Sequence, residues 1–206
     1  MEESKISNNF WISKKEYPNY PFIKERRKYE LDFLLENIPK DTNTLLDIGC
    51  GDGSTVILLR ETTYIKDFYC YDIAEGLMSG NWGERDSKII KKTVDFNIDR
   101  SLPVTDVTIS MNIFPCIFDD AVLDSIIGNI KSDIFLTRIT CEHSERLTIN
   151  KYSEDLSDHI ASVYRTVEEY LEVLKKYYPY VEYRRSFPDK IESKYGTKQY
   201  FFICKR

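Results

Sequence analysis

Only 2 histidines and 5 cysteines occur among the 206 residues, and neither type is arranged for metal. Cys50, Cys70, Cys116, Cys141 and Cys204 are scattered, with no C-x-x-C pair and no histidine at a zinc spacing. No metal site is expected. The same scatter argues against a disulfide framework, so the thiols read as reduced and mostly buried, in a cytoplasmic protein. No apolar run approaches the length of a membrane span, and MEESKISNNFWISKK lacks the apolar core of a signal peptide. A membrane partner is therefore not expected. A basic excess is also missing: the net charge of -5 argues against a surface that tracks nucleic-acid phosphates. No repeat and no Gly/Ser/Pro linker divides the chain, which is long enough to bury one sound core.

Aromatic residues are plentiful, at 14% with 15 tyrosines. Phe10, Trp11, Tyr17 and Tyr20 stand in residues 1–22, an otherwise polar arm that ends in two prolines. Beyond it, Leu31, Leu34, Leu35 and Ile38 recur at helical spacing before Pro39 breaks the pattern. TLLDIG (44–49), FYCYDI (68–73), IIKKTVDF (89–96), DVTISMN (106–112) and IFLTRIT (134–140) read as strands. Between them a helix starts near Gly53, AEGLMSGNWGERD has room for a short one, and Val122, Leu123, Ile126, Ile127 and Ile130 form a third helical face. Asp119 or Asp120 would cap that last helix. A long polar stretch, 141–162, precedes a helix opening at Thr166, where Glu169 completes a capping box. YVEYRRSF (180–187) and KQYFFICK (198–205) are the closing strands.

Strands alternating with helices imply parallel pairing and right-handed crossovers. The last two strands have no helix between them, so one should run antiparallel at or near an edge. The expected fold is a three-layer α/β sheet.

Of the 8 glycines, Gly49, Gly51 and Gly53 alternate directly behind the first strand. In an open α/β sheet ligands collect beyond the carboxyl ends of the strands, where strand order reverses. Alternating glycines let the backbone take positive φ and let a ligand approach the main chain. A tight turn alone would use them as well. Spacing narrows the ligand. A P-loop needs a lysine that does not follow here, and the dinucleotide fingerprint needs glycine or alanine at the position of Ser54. The pattern present is D-x-G-x-G-x-G.

With these residues the chain resembles the class I S-adenosylmethionine-dependent methyltransferases. Asp47, Gly49, Gly51 and Gly53, with Cys50 among them, match that family's glycine-rich motif. Asp72, ending FYCYDI beside Ile73, lies where the family places an acid that accepts both ribose hydroxyls. Asp95 and Phe96 of VDFN lie where it places the adenine contacts, a carboxylate and a backbone N–H. Met111 and Asn112 of SMNIF resemble the next motif and should line the pocket. The resemblance covers roughly residues 25–140 and suits the closing strand pair. It implies a Rossmann-like methyltransferase sheet, S-adenosylmethionine as cofactor with S-adenosylhomocysteine as product, and in-line methyl transfer without a metal. It leaves two segments uncovered. Within one methyltransferase domain of residues 23–206, residues 141–165 are expected to form an acceptor-site insertion, and the arm 1–22 to act as a lid.

An acceptor that must lose a proton needs a base, worth about 10²–10⁴-fold. His143, in CEHSER after the fifth strand, is the first choice, ahead of Glu142; His159 sits in the polar stretch. Trp11, Tyr17 and Tyr20, followed by Arg26 and Arg27, would close over the site, an arginine pairing with the methionine carboxylate. Tyr164 and Arg165 are placed to meet an anionic or polyhydroxyl acceptor, although the capping box explains that segment equally. Arg138, inside a strand, needs a buried partner or a pocket. The acidic balance favours a small-molecule acceptor, preferably a sugar or surface-polysaccharide precursor, over nucleic acid. A protein or RNA acceptor and a non-catalytic binding subunit are the alternatives. The [DNS]-P-P-[YFW] signature of amino-methylating nucleic-acid enzymes is absent, since NIFP follows the fourth strand.

Overall fold

Strand β1 (Thr44–Ile48) sends Leu46 and Ile48 into one apolar layer and Leu45 into another, all fully buried. A strand covered on both faces reads as a continuous apolar run, which is why TLLDI carries no alternation. In the computed structural model, which describes residues 2–18, 22–83, 87–154, 156–192 and 196–206, β1 lies at the centre of a seven-stranded sheet. Its neighbours β2 (Asp67–Asp72) and β4 (Val107–Met111) are parallel to it, as are β3 (Lys88–Thr93) and β5 (Ile134–Cys141) outside them. β9 (Lys198–Lys205) runs antiparallel beside β5, and β8 (Tyr180–Arg185) closes the edge, giving the order β3-β2-β1-β4-β5-β9-β8. The reversed strand sits next to the edge, as a strand pair without a crossover helix requires.

Helices cover both faces. On one, α2 (Ile23–Asn37) and α3 (Ser54–Thr62) bury Phe33, Leu34, Val56 and Leu59 against Leu45, Phe68 and Ile109. Phe33 stacks on Phe201 of β9 with ring centroids 4.1 Å apart. On the other, α5 (Asp120–Asn129) and α6 (Val167–Lys175) pack Leu123, Ile126, Tyr170 and Leu174 on Phe135. Asp119 caps α5, accepting from the Ala121 N–H at 2.8 Å. Thr166 and Glu169 form both bonds of the capping box that opens α6. A short α4 (Glu75–Met78) follows β2.

Two elements depart from the expectations. The arm contains a helix, α1 (Glu2–Ile12), which buries Phe10 and packs on the segment after β4. The polar stretch after β5 is not irregular: β6 (Leu147–Ser153) and β7 (Asp158–Tyr164) form a separate antiparallel hairpin against α1. Both elements stand over the carboxyl end of the sheet.

Candidate active site

The turn from β1 into α3 takes Gly49, Gly51 and Gly53 through φ of +80°, +54° and +73°. A Cβ on Gly49 would lie 2.8 Å from the Ile113 side chain, and one on Gly53 only 2.4 Å from the Trp82 ring. These two glycines serve the protein's own packing. Gly51 differs. The nearest atoms to its Cβ position belong to Tyr17, 3.2 Å away, a side chain of the arm that lines both cavities with it.

Asp72, at the end of β2, is 8% exposed and braces this turn. Its Oδ2 accepts from the Gly51 N–H and its Oδ1 from the Ala74 N–H, each at 2.8 Å. Burial pushes its pKa up, and those N–H groups oppose the shift. An ionised carboxylate has lone pairs beyond these two bonds, so both oxygens can accept again. Asp47 is more deeply enclosed, at 2% exposed, and its Oδ1 has no hydrogen-bond partner among the described residues. Burial, then the nearby Asp72 and Glu30, push its pKa well up. A buried carboxylate left in this state is costly unless a cation reaches it.

Two adjoining cavities open here. The smaller, about 70 Å³, runs along Asp72, Ile73, Asp95, Phe96, Met111 and Asn112. Asp95 Oδ1 accepts from the N–H and Nδ2 of Asn97, and its Oδ2 from Asn8 of α1 at 3.2 Å. Asn112 holds φ of +80°, an uncommon conformation for a residue with a side chain. Its Oδ1 is fixed by the N–H and hydroxyl of Thr140, at 2.8 and 2.7 Å.

The larger cavity, about 460 Å³, shares Trp11, Tyr17, Gly51 and Asn112 with the first. Its floor holds Asp47, Cys50, Arg26, Arg27, Glu30 and Arg138, and the hairpin contributes Ile160, Ala161 and Tyr164. Trp11 Nε1 donates to Cys116 Sγ at 3.3 Å, and Lys14 pairs with Asp158 at 2.8 Å, tying α1 to the rest of the wall. Arg27 pairs with Asp52 at 3.0 Å, beside the glycine turn. Burial pushes the Tyr17 phenol up to about 12, with Arg138 opposing. Arg138 finds the buried partner its strand position demanded: Glu30 of α2, at 2.8 Å.

Other expected residues are not brought here. His143 is exposed and lines neither cavity. After β5 the chain is captured by Thr166, through a bridge from Glu142, and the next residues turn outward. This placement does not supply the chamber with the expected base. His159 is also exposed, its ring against Tyr152. Arg165 is 1% exposed but serves as a staple, not an acceptor contact. Its guanidinium pairs with Asp120 at 2.7 Å and donates to the Ile117 carbonyl at 2.9 Å. Tyr20 lies outside the described residues. Sequence reasoning missed Asn8, Glu30, Glu192 and Gln199. Glu30 had a signal, since it precedes Phe33 and Leu34 by three and four residues and so shares their apolar face. Among the described residues no group of three or more His, Cys, Asp or Glu is placed to hold a metal ion, and no helix is long and apolar enough to cross a membrane.

No protein-family model matches the sequence, and no curated protein matches it. Solved structures do match. DhpI bound to S-adenosylhomocysteine superposes with a TM-score of 0.69 over 98% of this chain and 97% of its own, at 13% identity. An S-adenosylmethionine-dependent methyltransferase from Clostridium acetobutylicum gives 0.59 over 91% and 93%, at 13% identity. Geranyl diphosphate C-methyltransferase from Streptomyces coelicolor, in complex with Mg²⁺, geranyl diphosphate and S-adenosylhomocysteine, gives 0.64 over 100% and 99%, at 10% identity. At such identities the likeness is one of fold.

Proposed function

We propose that this chain, which has the Rossmann-like fold of class I methyltransferases, binds S-adenosylmethionine and methylates a small-molecule acceptor held in the larger chamber. One observation carries the reading. The Gly51 backbone lines both adjoining cavities beyond the carboxyl ends of the strands, with the Asp72 carboxylate on the smaller and Asp47, whose Oδ1 has no partner among the described residues, on the larger. Each suits a different part of the cofactor. Asp72 has lone pairs left for the ribose hydroxyls, a charge-assisted pair. Asp47 suits the methionine ammonium, which would relieve its buried charge. Asp95 and the Phe96 N–H suit adenine, in the cavity that Ile73, Met111 and Asn112 complete, and Cys50 adds to the wall of the chamber. Arg27 stands at the glycine turn for the methionine carboxylate.

When bound, the cofactor supplies a methyl group already activated by its sulfonium charge. The chain's own task is to hold a nucleophile in line and exclude water, an arrangement worth about 7–11 kcal/mol. Residues 1–22 serve as the lid of a single domain, 23–206, in which 141–165 builds the acceptor side. Trp11, Tyr17 and Tyr164 offer rings to the chamber, which favours a ring-bearing acceptor such as a sugar or surface-polysaccharide precursor. With His143 turned outward, an acceptor atom that is already nucleophilic fits better than one needing a histidine base, and a sugar hydroxyl would have to lose its proton to another group of the chamber. Five unbridged cysteines, most of them buried, suit a cytoplasmic setting.

Calorimetric titration of S-adenosylhomocysteine into the purified chain tests the first step. Saturable micromolar or tighter binding supports the reading. No heat and no thermal stabilisation would leave a binding module that keeps only the fold.

A further inference from the structure

We propose that the acceptor is an organic anion, a carboxylate or a phosphate ester, with its charged group seated on Arg26 at the floor of the larger chamber. This deepens the methyltransferase reading and rests on it. Arg26 projects from α2 into the chamber, and its Nη2 donates to the Ile191 carbonyl at 2.7 Å. Its Nε is fully enclosed and has no hydrogen-bond partner among the described residues. The neighbouring carboxylates are already engaged. Glu30 pairs with Arg138 at 2.8 Å, Glu192 with Arg185 at 2.9 Å, and Asp52 with Arg27 at 3.0 Å.

A second cation stands close by. The guanidinium carbons of Arg26 and Arg138 each lie 5.7 Å from the centroid of the same ring, Phe187. Burial, with Arg138 as the next cause, pushes the Arg26 pKa down, as two cations sharing a partly dry space require. Among the described residues Arg26, Arg138, Arg185 and Lys198 face Glu30, Glu192 and Asp189, which leaves one positive charge unanswered. Asp47 is the remaining carboxyl on this floor, and burial favours its protonated form unless the cofactor's ammonium reaches it. A bound anion would answer the excess at the part of the guanidinium that lines the chamber. Such charge-assisted bonds to guanidinium are the strong ones. α1 and the hairpin line the chamber with Phe10, Trp11, Ile160 and Ala161, which suit the body of the molecule. Arg27 is the arginine nearer the glycine turn, so the methionine carboxylate and the acceptor anion do not compete for one residue.

Three probes with one ring decide the matter: benzoate, phenyl phosphate and benzyl alcohol, titrated with and without saturating S-adenosylhomocysteine. The chain should bind benzoate or phenyl phosphate in preference to the alcohol, and the better anion identifies the acceptor's charged group. Arg26→Gln should weaken that anion by about tenfold or more, the scale of one lost bond to a charged group. S-adenosylhomocysteine affinity should stay within about twofold of the parent, and Arg26→Lys should recover part of the anion affinity. Equal binding of the alcohol, no binding of either anion, or a Gln variant that keeps its anion affinity would overturn the proposal. So would a Gln variant that loses S-adenosylhomocysteine, because the arginine would then belong to the cofactor. Failure of the parent chain to bind S-adenosylhomocysteine would strike the methyltransferase reading instead, and the probe titrations without it still judge the anion site.

Discussion

Asp47 shows how one residue lining a cavity can oppose stability. Its carboxyl is buried without a partner for Oδ1, and its pKa is raised above the ordinary 3.8. A group that holds its proton more tightly when folded stabilises the fold fully below its unfolded pKa. That contribution is lost as pH rises through the raised folded value. Asp47→Asn removes this titration while keeping the shape. Without ligand, the variant should therefore melt above the parent at pH 8, with the gain shrinking as pH falls toward 4. The same variant should bind S-adenosylhomocysteine less tightly, since the amide cannot answer an ammonium. Thermal melts at the two pH values, each with and without S-adenosylhomocysteine, check both signs. A parent that melts no lower than the variant at pH 8 would mean that Asp47 has found another partner.

The turn between β1 and α3 carries the same tension at the scale of an element. All three glycines have positive φ, but their Cβ positions face different things, so valine should act differently at each. Gly53→Val drives into Trp82 and should lower the melting temperature sharply. Gly51→Val meets only Tyr17 of the arm, which can give way; apart from the strain of its φ, its main effect should be loss of S-adenosylhomocysteine binding in a chain that still folds. Circular dichroism beside calorimetry separates the two outcomes, and equal destabilisation would assign all three glycines to the turn alone. The alternation of glycines was legible in the sequence, but not which of them the protein's own packing encloses, because Ile113, Trp82 and Tyr17 come from distant parts of the chain. The sheet was legible for a related reason: β1, β4 and β5 are apolar runs whose burial depends little on their exact neighbours. α1 and the hairpin β6–β7 were not. Of EESKISNNFWI only Ser7 and Phe10 are buried, and of LTINKYS only Ile149 and Ser153. Elements held mainly by each other show no local period to read.

At the scale of the whole molecule, the described residues of the site gather several unfavourable features: an Asp47 oxygen without a partner, a left-handed Asn112 and an uneven charge around Arg26. The two apolar layers of the sheet must offset them, and a ligand that relieves the first should show its binding as stability. The linkage is quantitative. A ligand that binds only the folded chain, at 100 times its dissociation constant, adds about 2.7 kcal/mol. For domains of this size each kcal/mol moves the melting temperature by about 2–4 °C, so saturating S-adenosylhomocysteine should raise it by about 5–10 °C. Adenosine alone would reach Asp72 and Asp95 but leave Asp47 without its cation, and should give a distinctly smaller rise at the same multiple of its own weaker dissociation constant only if it also binds the unfolded chain. At equal concentrations, by contrast, the weaker ligand must stabilise less by the logarithm of the affinity ratio. Differential scanning calorimetry of both ligands at one concentration, set against dissociation constants measured separately, therefore closes the account. A shift for S-adenosylhomocysteine that exceeds the linkage value would require a second binding site on the folded chain. A shift that falls short would place part of the affinity in states where the sheet is already unfolded.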